Sequence, residues 1–422
     1  MKPPTRRRSA AILIGFALTA AACSTKAGSA GGEQGGVQTG TGVTNDTITL
    51  GALTDLHGEF AVAGKASIAG NRIYWKQLNS QGGVCGHKIK LTVKDHGYNV
   101  QQAVTLYAQI KDSVLGLEQS LGSPTTTALL DSIKTDKMLT IPASWASTEL
   151  KNPYIMMVGA SYDMEMVNLV DYLVDHGKLH NGDKVGYIYQ EGEYGENGLR
   201  GGKYAAQQNN ITVIPEKIKG SDIDMSAQVT DLKNKGAKAI LMTTGPKQVA
   251  SAAAVAQSLG FTVPILTNSP GWDPGLLNTS AASALEKNLL VAQSWLGPNA
   301  DNATVKKIVQ KVKKSYPNTP LQAQVVWGYG AAQAYAKVLK KACANKNLTR
   351  DGVAKAFRSI SHLETGGLIA PLDYTQKGAP SARSIYVFRP DKNATGRLKR
   401  LTKNFYEGAD AKTYVAPAQS SA

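Results

Sequence analysis

Short apolar runs alternate with amphipathic stretches along almost the whole chain, and this rhythm leaves few architectures open. The runs include "ITLGAL" (48–53), "IKLTV" (89–93), "VLGLEQSL" (114–121), "MLTIPAS" (138–144), "KVGYIY" (184–189), "AKAILMT" (237–243), "VPILTN" (263–268), "LLVAQSW" (289–295) and "SIYVFRP" (384–390). Each has the length of a strand. Between them the apolar residues recur at three and four. In "VQQAVTLYAQI", Val100, Ala103, Val104, Tyr107 and Ile110 share one helical face. In "DMSAQVTDLKNKGAK", Asp224 is placed as N-cap, with Met225, Val229 and Leu232 inward and Gly236 as the stop. Such alternation predicts an α/β chain with parallel sheets covered by helices. At 422 residues the chain has room for two domains. "ITLGAL" followed by "GKASIAGNRIYWKQL" and "VGYIY" followed by "NGLRGGKYAAQ" share one layout, which suits two similarly built lobes.

One stretch, "GEFAVAGKAS" (58–67), has the look of a phosphate-binding loop. That loop needs four residues between its glycines, then Lys, then Ser or Thr. Here one residue too many separates Gly58 from Gly64, and Ala66 follows Lys65 where a metal-binding hydroxyl belongs. The nucleotide reading is rejected. What remains is a strand-to-helix loop, which in an open α/β sheet lies where ligands bind.

The N-terminus reads as a targeting segment. "MKPPTRRRS" is basic, "AAILIGFALTA" is apolar but too short to span a membrane, and "AAAC" ends it at Cys23. Small residues before a Cys resemble the lipobox of bacterial lipoproteins, so 1–22 is read as a signal peptide and Cys23 as the lipidated residue. Acyl chains on that Cys would hold the protein at the outer face of the cell membrane. Residues 23–45 are rich in Gly, Ser and Thr and are read as a flexible linker.

The formal charge is +16, and the segment before Cys23 contributes four of those positive charges (Lys2, Arg6, Arg7, Arg8), leaving 16 − 4 = +12. No basic-aromatic interleaving or nucleic-acid motif accompanies this charge, so nucleic acid is not an expected partner. Beyond Cys23 two cysteines remain, and outside the cytoplasm a Cys85–Cys343 disulfide is expected. The six histidines are scattered, and no metal site, cofactor or catalytic triad is expected.

Several blocks in order resemble the solute-binding proteins of branched-chain amino-acid type ABC importers, the type I periplasmic-binding fold. "TDLHGEFAVAG", "NSQGGVCGHK" and "KDHGYNVQQA" stand where that family has its first cleft loop, its N-x-x-G-G-x-x-G-R-K turn and its D-D-x-x-D-P strand end. Two of those places depart from the pattern, His96 for the second Asp and Gln101 for the Pro. "LGSPTTTALL" with "IPASWAS", then "QEGEYGENGLRGG", then "GGLIAPLDYTQKG" fill later blocks. The likeness runs from about Ile48 to Pro390. It implies two doubly wound parallel-sheet lobes joined by a three-strand hinge, with ligand buried by closure. The chain would cross near Met157–Ser161, Gln293–Gly297 and Leu368–Tyr374. The first lobe would hold 46–158 and 296–368, the second 159–295 and 369–422.

Within that frame Ser123 and Thr125, opening a helix after "VLGLEQSL", are candidate ligand hydroxyls; the plainer reading of Ser123 is a helix cap. By resemblance Ser123, Ser144 with Ala146, and Tyr194 occupy ligand-contacting places. Ala146 lacks the hydroxyl usual there. Amino-acid-binding members place an acid after the strand read here as "VPILTN", but this chain has Ser269-Pro270, with Asp273 further on. Since a buried ammonium without a carboxylate is costly, either Asp273 takes that role or the ligand has no ammonium. Trp145, Trp272 and Trp295 are read either as an aromatic wall or as ordinary packing.

The expected function is therefore non-enzymatic: a monomer that binds a small amphipathic solute and delivers it to an ABC permease and its ATPase subunits. The solute is a branched-chain amino acid or a related amide or carboxylate. A ligand sensor of the same fold, or import of an aromatic acid, amide or urea, stands as the alternative.

Overall fold

The structure, a computed structural model, describes residues 33–34 and 36–419. The signal peptide and Cys23 lie outside the described residues.

Two sheets organise the body. The first is a four-stranded parallel sheet of β1 (Thr47–Thr54), β2 (Lys88–Asp95), β3 (Gly116–Leu121) and β4 (Thr140–Ala143), in the order β2-β1-β3-β4. β1 and β2 run in register from Thr47 opposite Lys88 to Thr54 opposite Asp95. The second sheet holds β5 (Lys184–Gln190), β6 (Thr212–Ile218), β7 (Ala239–Thr243), β8 (Ile265–Asn268) and β9 (Leu289–Gln293), with β10 (Tyr386–Pro390) and β11 (Leu398–Arg400) at one edge. Its order is β11-β10-β9-β8-β7-β5-β6. The strands β5 to β9 are mutually parallel, and β10 and β11 are antiparallel. In each sheet the chain's first strand lies between its second and third, so both lobes reverse direction at the same place. Ligands bind beyond the strand ends at such a reversal.

The helices cover these sheets as their periodicity requires. Helix α1 (Ala61–Ser80) follows β1, α2 (Val100–Ile110) follows β2, α3 (Tyr162–Asp175) enters the second lobe, α4 (Glu193–Gln208) follows β5, and α5 (Ala323–Ala344) returns to pack on α1. The α1–α5 contact is close because of glycine: a Cβ on Gly328 would lie 2.1 Å from Ser67 O. In α2 the buried face is Ala103, Leu106, Tyr107 and Ile110, and Val104 is turned to solvent. Asp224 accepts from Ser226 N at 2.9 Å just ahead of helix Ser226–Asn234, where Met225, Val229 and Leu232 are buried.

Three chain passages link the lobes side by side. Leu296 N donates to Leu368 O and Ala370 N to Ser294 O, both at 2.8 Å. The Ser294 hydroxyl accepts from Ala160 N at 2.9 Å, and Ser381 donates to Met157 O at 2.7 Å. Cys85 and Cys343 are joined, with Cα atoms 6.3 Å apart, tying the turn before β2 to the end of α5.

The start of the body differs from its reading as a linker. Val37–Thr39 pairs parallel with Asn347–Leu348, and Gln38 N donates to Lys346 O at 2.9 Å. Gly42 O accepts from Thr49 N at 2.7 Å. Residues 37–45 thus extend the first lobe: their few apolar side chains, Val37 and Val43, lie against the core.

Candidate ligand-binding site

The stretch that resembled a phosphate loop is folded around a carboxylate of its own. Asp55, fully buried, accepts from His57 N at 3.1 Å, Gly58 N at 2.5 Å and Phe60 N at 2.8 Å. The N–H groups that a phosphate would need are already used. Asp95, at the end of β2, accepts from Leu56 N at 2.9 Å and contacts His57 Nδ1 at 2.5 Å. These two acids shape the loop so that Phe60 faces the space between the lobes.

That space is a narrow cavity of about 40 Å³ beyond the carboxyl ends of both sheets. The first lobe contributes Phe60 after β1, Tyr98 after β2, Ser123 after β3 and Trp145 after β4; the second contributes Tyr162, Tyr194 and Ser269. Gln324 and Trp327 reach it from α5. The aromatic rings pack edge to face: Phe60 on Tyr98 at 4.7 Å, Tyr162 on Tyr194 at 4.8 Å, and Trp145 on Trp327 at 5.1 Å between centroids. A Cβ on Gly122 would lie 2.5 Å from the Tyr98 ring, and Gly122 has φ +96°, so only glycine lets that ring close over the end of β3. None of the residues lining the cavity carries a charge.

The polar groups at the wall are few. Ser144 Oγ lies 2.8 Å from Ser123 Oγ and 2.5 Å from Glu149 Oε1. Burial pushes Glu149 up to about 8, the Ser144 hydrogen bond opposing and the nearby Glu193 charge adding to the rise. Burial raises the Tyr162 phenol, with Ser123 pulling the other way. Tyr194 donates to Asn268 Oδ1 at 2.7 Å, fixing its ring at the end of β8. Gln324 is buried at 6% exposure, with its side chain at the cavity wall.

Of the residues singled out in the sequence, Ser123, Trp145, Tyr194 and Ser269 line the cavity. Ser144 stands directly behind Ser123. Thr125 turns away and donates to Gly122 O at 2.8 Å. Ala146 is buried, with its carbonyl accepting from Glu149 N at 3.1 Å. Trp272 is buried outside the cavity lining. Trp295 backs the wall, its ring 5.2 Å from Trp145. Asp273 faces a separate groove with Lys392 and Arg397 and accepts from Gly275 N at 2.6 Å, so it is not at the cavity. Phe60, Ser67, Tyr98, Tyr162, Gln324 and Trp327 also line it and were not foreseen. Phe60 lies in the loop already assigned to the cleft; Gln324 and Trp327 sit mid-pattern in a long apolar helix that gives no local sign of a site.

A sequence model of the periplasmic binding protein family matches residues 47–395. The chain belongs to that family. This periplasmic binding protein is similar over its length to a solved fatty acid ABC transporter substrate-binding protein from Thermomonospora curvata, at 40% identity and a TM-score of 0.87, covering 90% of this chain and 97% of that one. A branched chain amino acid ABC transporter protein from Thermus thermophilus with bound valine shares the fold, at 20% identity and a TM-score of 0.76, covering 87% and 98%. Among curated relatives, Leu/Ile/Val-binding protein homolog 8 of Brucella abortus (strain 2308) is 23% identical over 47% of this chain and 51% of its own length, so the match spans about half of that relative. Homolog 7 of the same strain is 22% identical over 72% and 80%. Family and fold are those of exported substrate-binding proteins, with two α/β lobes about a hinge.

Proposed function

We propose that this protein is the solute-binding component of an ABC importer whose cleft takes a fatty acid rather than an amino acid. The observation that carries the reading is the cavity wall: aromatic from both lobes, with a few hydroxyls and one amide and no charged group. An α-ammonium enclosed there would have no carboxylate partner, at a cost of several kcal/mol. An alkyl chain against six aromatic rings gains about 0.8 kcal/mol for each methylene removed from water. Ser123, Ser269 and Gln324 at the wall are the donors for a single carboxylate, the Ser67 hydroxyl being given to Gly64 O at 3.0 Å. The relative at 40% identity, whose name specifies a fatty acid, supports the same choice.

On this reading closure joins the lobes over the chain: Ser147 of the first lobe donates to Asp163 Oδ2 of the second at 2.5 Å, and Thr148 donates to Glu193. The closed form is what an importer's permease receives, and Cys23 anchors the protein beside that permease. Calorimetric titration of the delipidated protein with decanoate, palmitate, leucine and valine tests the proposal. Binding of the fatty acids at micromolar concentration or below, with silence from leucine and valine, is expected; binding of leucine or valine with silence from both fatty acids would overturn it.

A further inference from the structure

The wall of the cavity is connected to a buried carboxyl group through two hydroxyls. Glu149 Oε1 lies 2.5 Å from Ser144 Oγ, and Ser144 Oγ lies 2.8 Å from Ser123 Oγ, which faces the cavity. Ser144 has one hydrogen and two partners that would both take it. Which one receives it depends on whether Glu149 holds a proton. A protonated Glu149 donates to Ser144, Ser144 then donates to Ser123, and Ser123 is left with its hydrogen free for the ligand. An ionised Glu149 takes the hydrogen of Ser144; Ser123 turns its own hydrogen back to Ser144 and presents only lone pairs.

We infer that Glu149, acting through Ser144, sets whether Ser123 offers the ligand's carboxylate a hydrogen or a lone pair, so that the carboxylate is held more tightly while Glu149 keeps its proton. Glu149 is a positioning residue and does not touch the ligand. The inference rests on the fatty-acid reading of the cleft, because an anionic head group is what makes the polarity of the hydroxyl chain matter.

The surroundings favour the protonated form. Glu149 is 1% exposed, and its second oxygen has no hydrogen-bond partner among the described residues. The groups facing it across the lobes are themselves acidic or neutral. Glu193 at the start of α4 is held by Thr148, Asp163 at the start of α3 is held by Ser147, and the Tyr162 hydroxyl meets Ser123 from the other side. The nearest cation on its own turn, Lys151, is exposed. Burial, with Glu193 adding, lifts Glu149 to about 8, above the pH at which it would otherwise ionise.

Titration of the full protein with decanoate from pH 6 to pH 9.5 tests this, since the probe's own carboxylate stays ionised across that range. Affinity is expected to be flat below about pH 7 and to fall about tenfold per pH unit once Glu149 ionises. Glu149→Gln, whose amide always donates to Ser144, is expected to give a flat profile, with at least tenfold tighter binding than the unsubstituted protein at pH 9.5. Ser144→Ala cuts the chain and is expected to be flat as well, with weaker binding at pH 6. Glu59→Gln, which removes another raised carboxyl near the cleft, is expected to keep the fall. A flat profile in the unsubstituted protein, or a fall retained in both Glu149→Gln and Ser144→Ala, would overturn the inference while leaving the fatty-acid reading intact. No decanoate binding at any pH would remove both.

Discussion

The indole nitrogens of Trp145 and Trp327 donate to one and the same carbonyl, Val158 O, at 3.1 and 2.9 Å. Val158 lies in the first passage between the lobes, and both rings line the cavity. A carbonyl oxygen accepts two hydrogen bonds and is satisfied by one. Each single substitution, Trp145→Phe or Trp327→Phe, is therefore expected to cost about 1 kcal/mol of folding stability. The double substitution orphans a buried acceptor and is expected to cost more than the sum, by about 1–3 kcal/mol. Urea unfolding of the four proteins measures the coupling; strict additivity would show that the shared acceptor does not matter. The same rings report on the cleft, so ligand should change tryptophan fluorescence in the single variants and change it less in the double.

Gln324 offers the simplest probe of the head group. Its side chain is buried and lies at the cavity wall. Gln324→Leu keeps the volume and removes the donor. Fatty-acid affinity is expected to fall about tenfold, the loss of one hydrogen bond to a charged group, with unfolding unchanged within about 0.5 kcal/mol. If the affinity of Gln324→Leu rises instead, the amide meets only the alkyl chain.

How much of this was legible in the sequence follows from what strand–helix alternation encodes. It says where strands end, and Ser123, Trp145 and Ser269 stand within two residues of strand ends, so the sequence places them near the cleft. It does not say which distant helix lies over those ends. Gln324 and Trp327 reach the cavity because α5 packs on α1 through Gly328, a relation no local pattern carries. Asp273 was singled out for its charge, yet its carboxylate is spent on Gly275 N at the start of a short turn, three-dimensional detail that composition does not hold. Residues 37–45 read as a linker because glycine and threonine dominate there; their order comes from strand pairing with Asn347–Leu348 at the far end of α5.

The Cys85–Cys343 link joins two parts of the first lobe that are 258 residues apart in sequence, with strands β5 to β9 of the other sheet between them. Reduction, or Cys343→Ser, is expected to lower unfolding free energy by about 2–5 kcal/mol. Both cysteines lie away from the cavity lining, so ligand affinity should hold. Unfolding with and without reductant, beside titration of the reduced protein, separates the two effects; a large loss of affinity on reduction would mean the link shapes the cleft.

The C-terminal segment is docked by a carboxyl group whose titration should be visible in stability. Asp171 on α3 is 4% exposed and accepts from Asp410 N and Ala411 N at 3.1 Å. Desolvation, with the neighbouring Asp410 carboxyl adding, raises it to about 7, and the two backbone donors pull the other way. A group whose pKa is higher in the folded than in the unfolded state stabilises the fold fully below its unfolded pKa and loses that contribution as pH rises through the folded value. Stability is therefore expected to fall between about pH 4 and pH 7 on account of Asp171, with Glu149 contributing in the same direction up to about pH 8. Asp171→Asn keeps an acceptor for the two N–H groups and cannot ionise. It should flatten the lower part of the fall and be the more stable protein at pH 8. Urea midpoints at pH 5 and pH 8 for the two proteins decide it: equal slopes with pH would mean that Asp171 titrates near its ordinary value and that the C-terminal segment is held by the backbone donors meeting an ionised carboxylate.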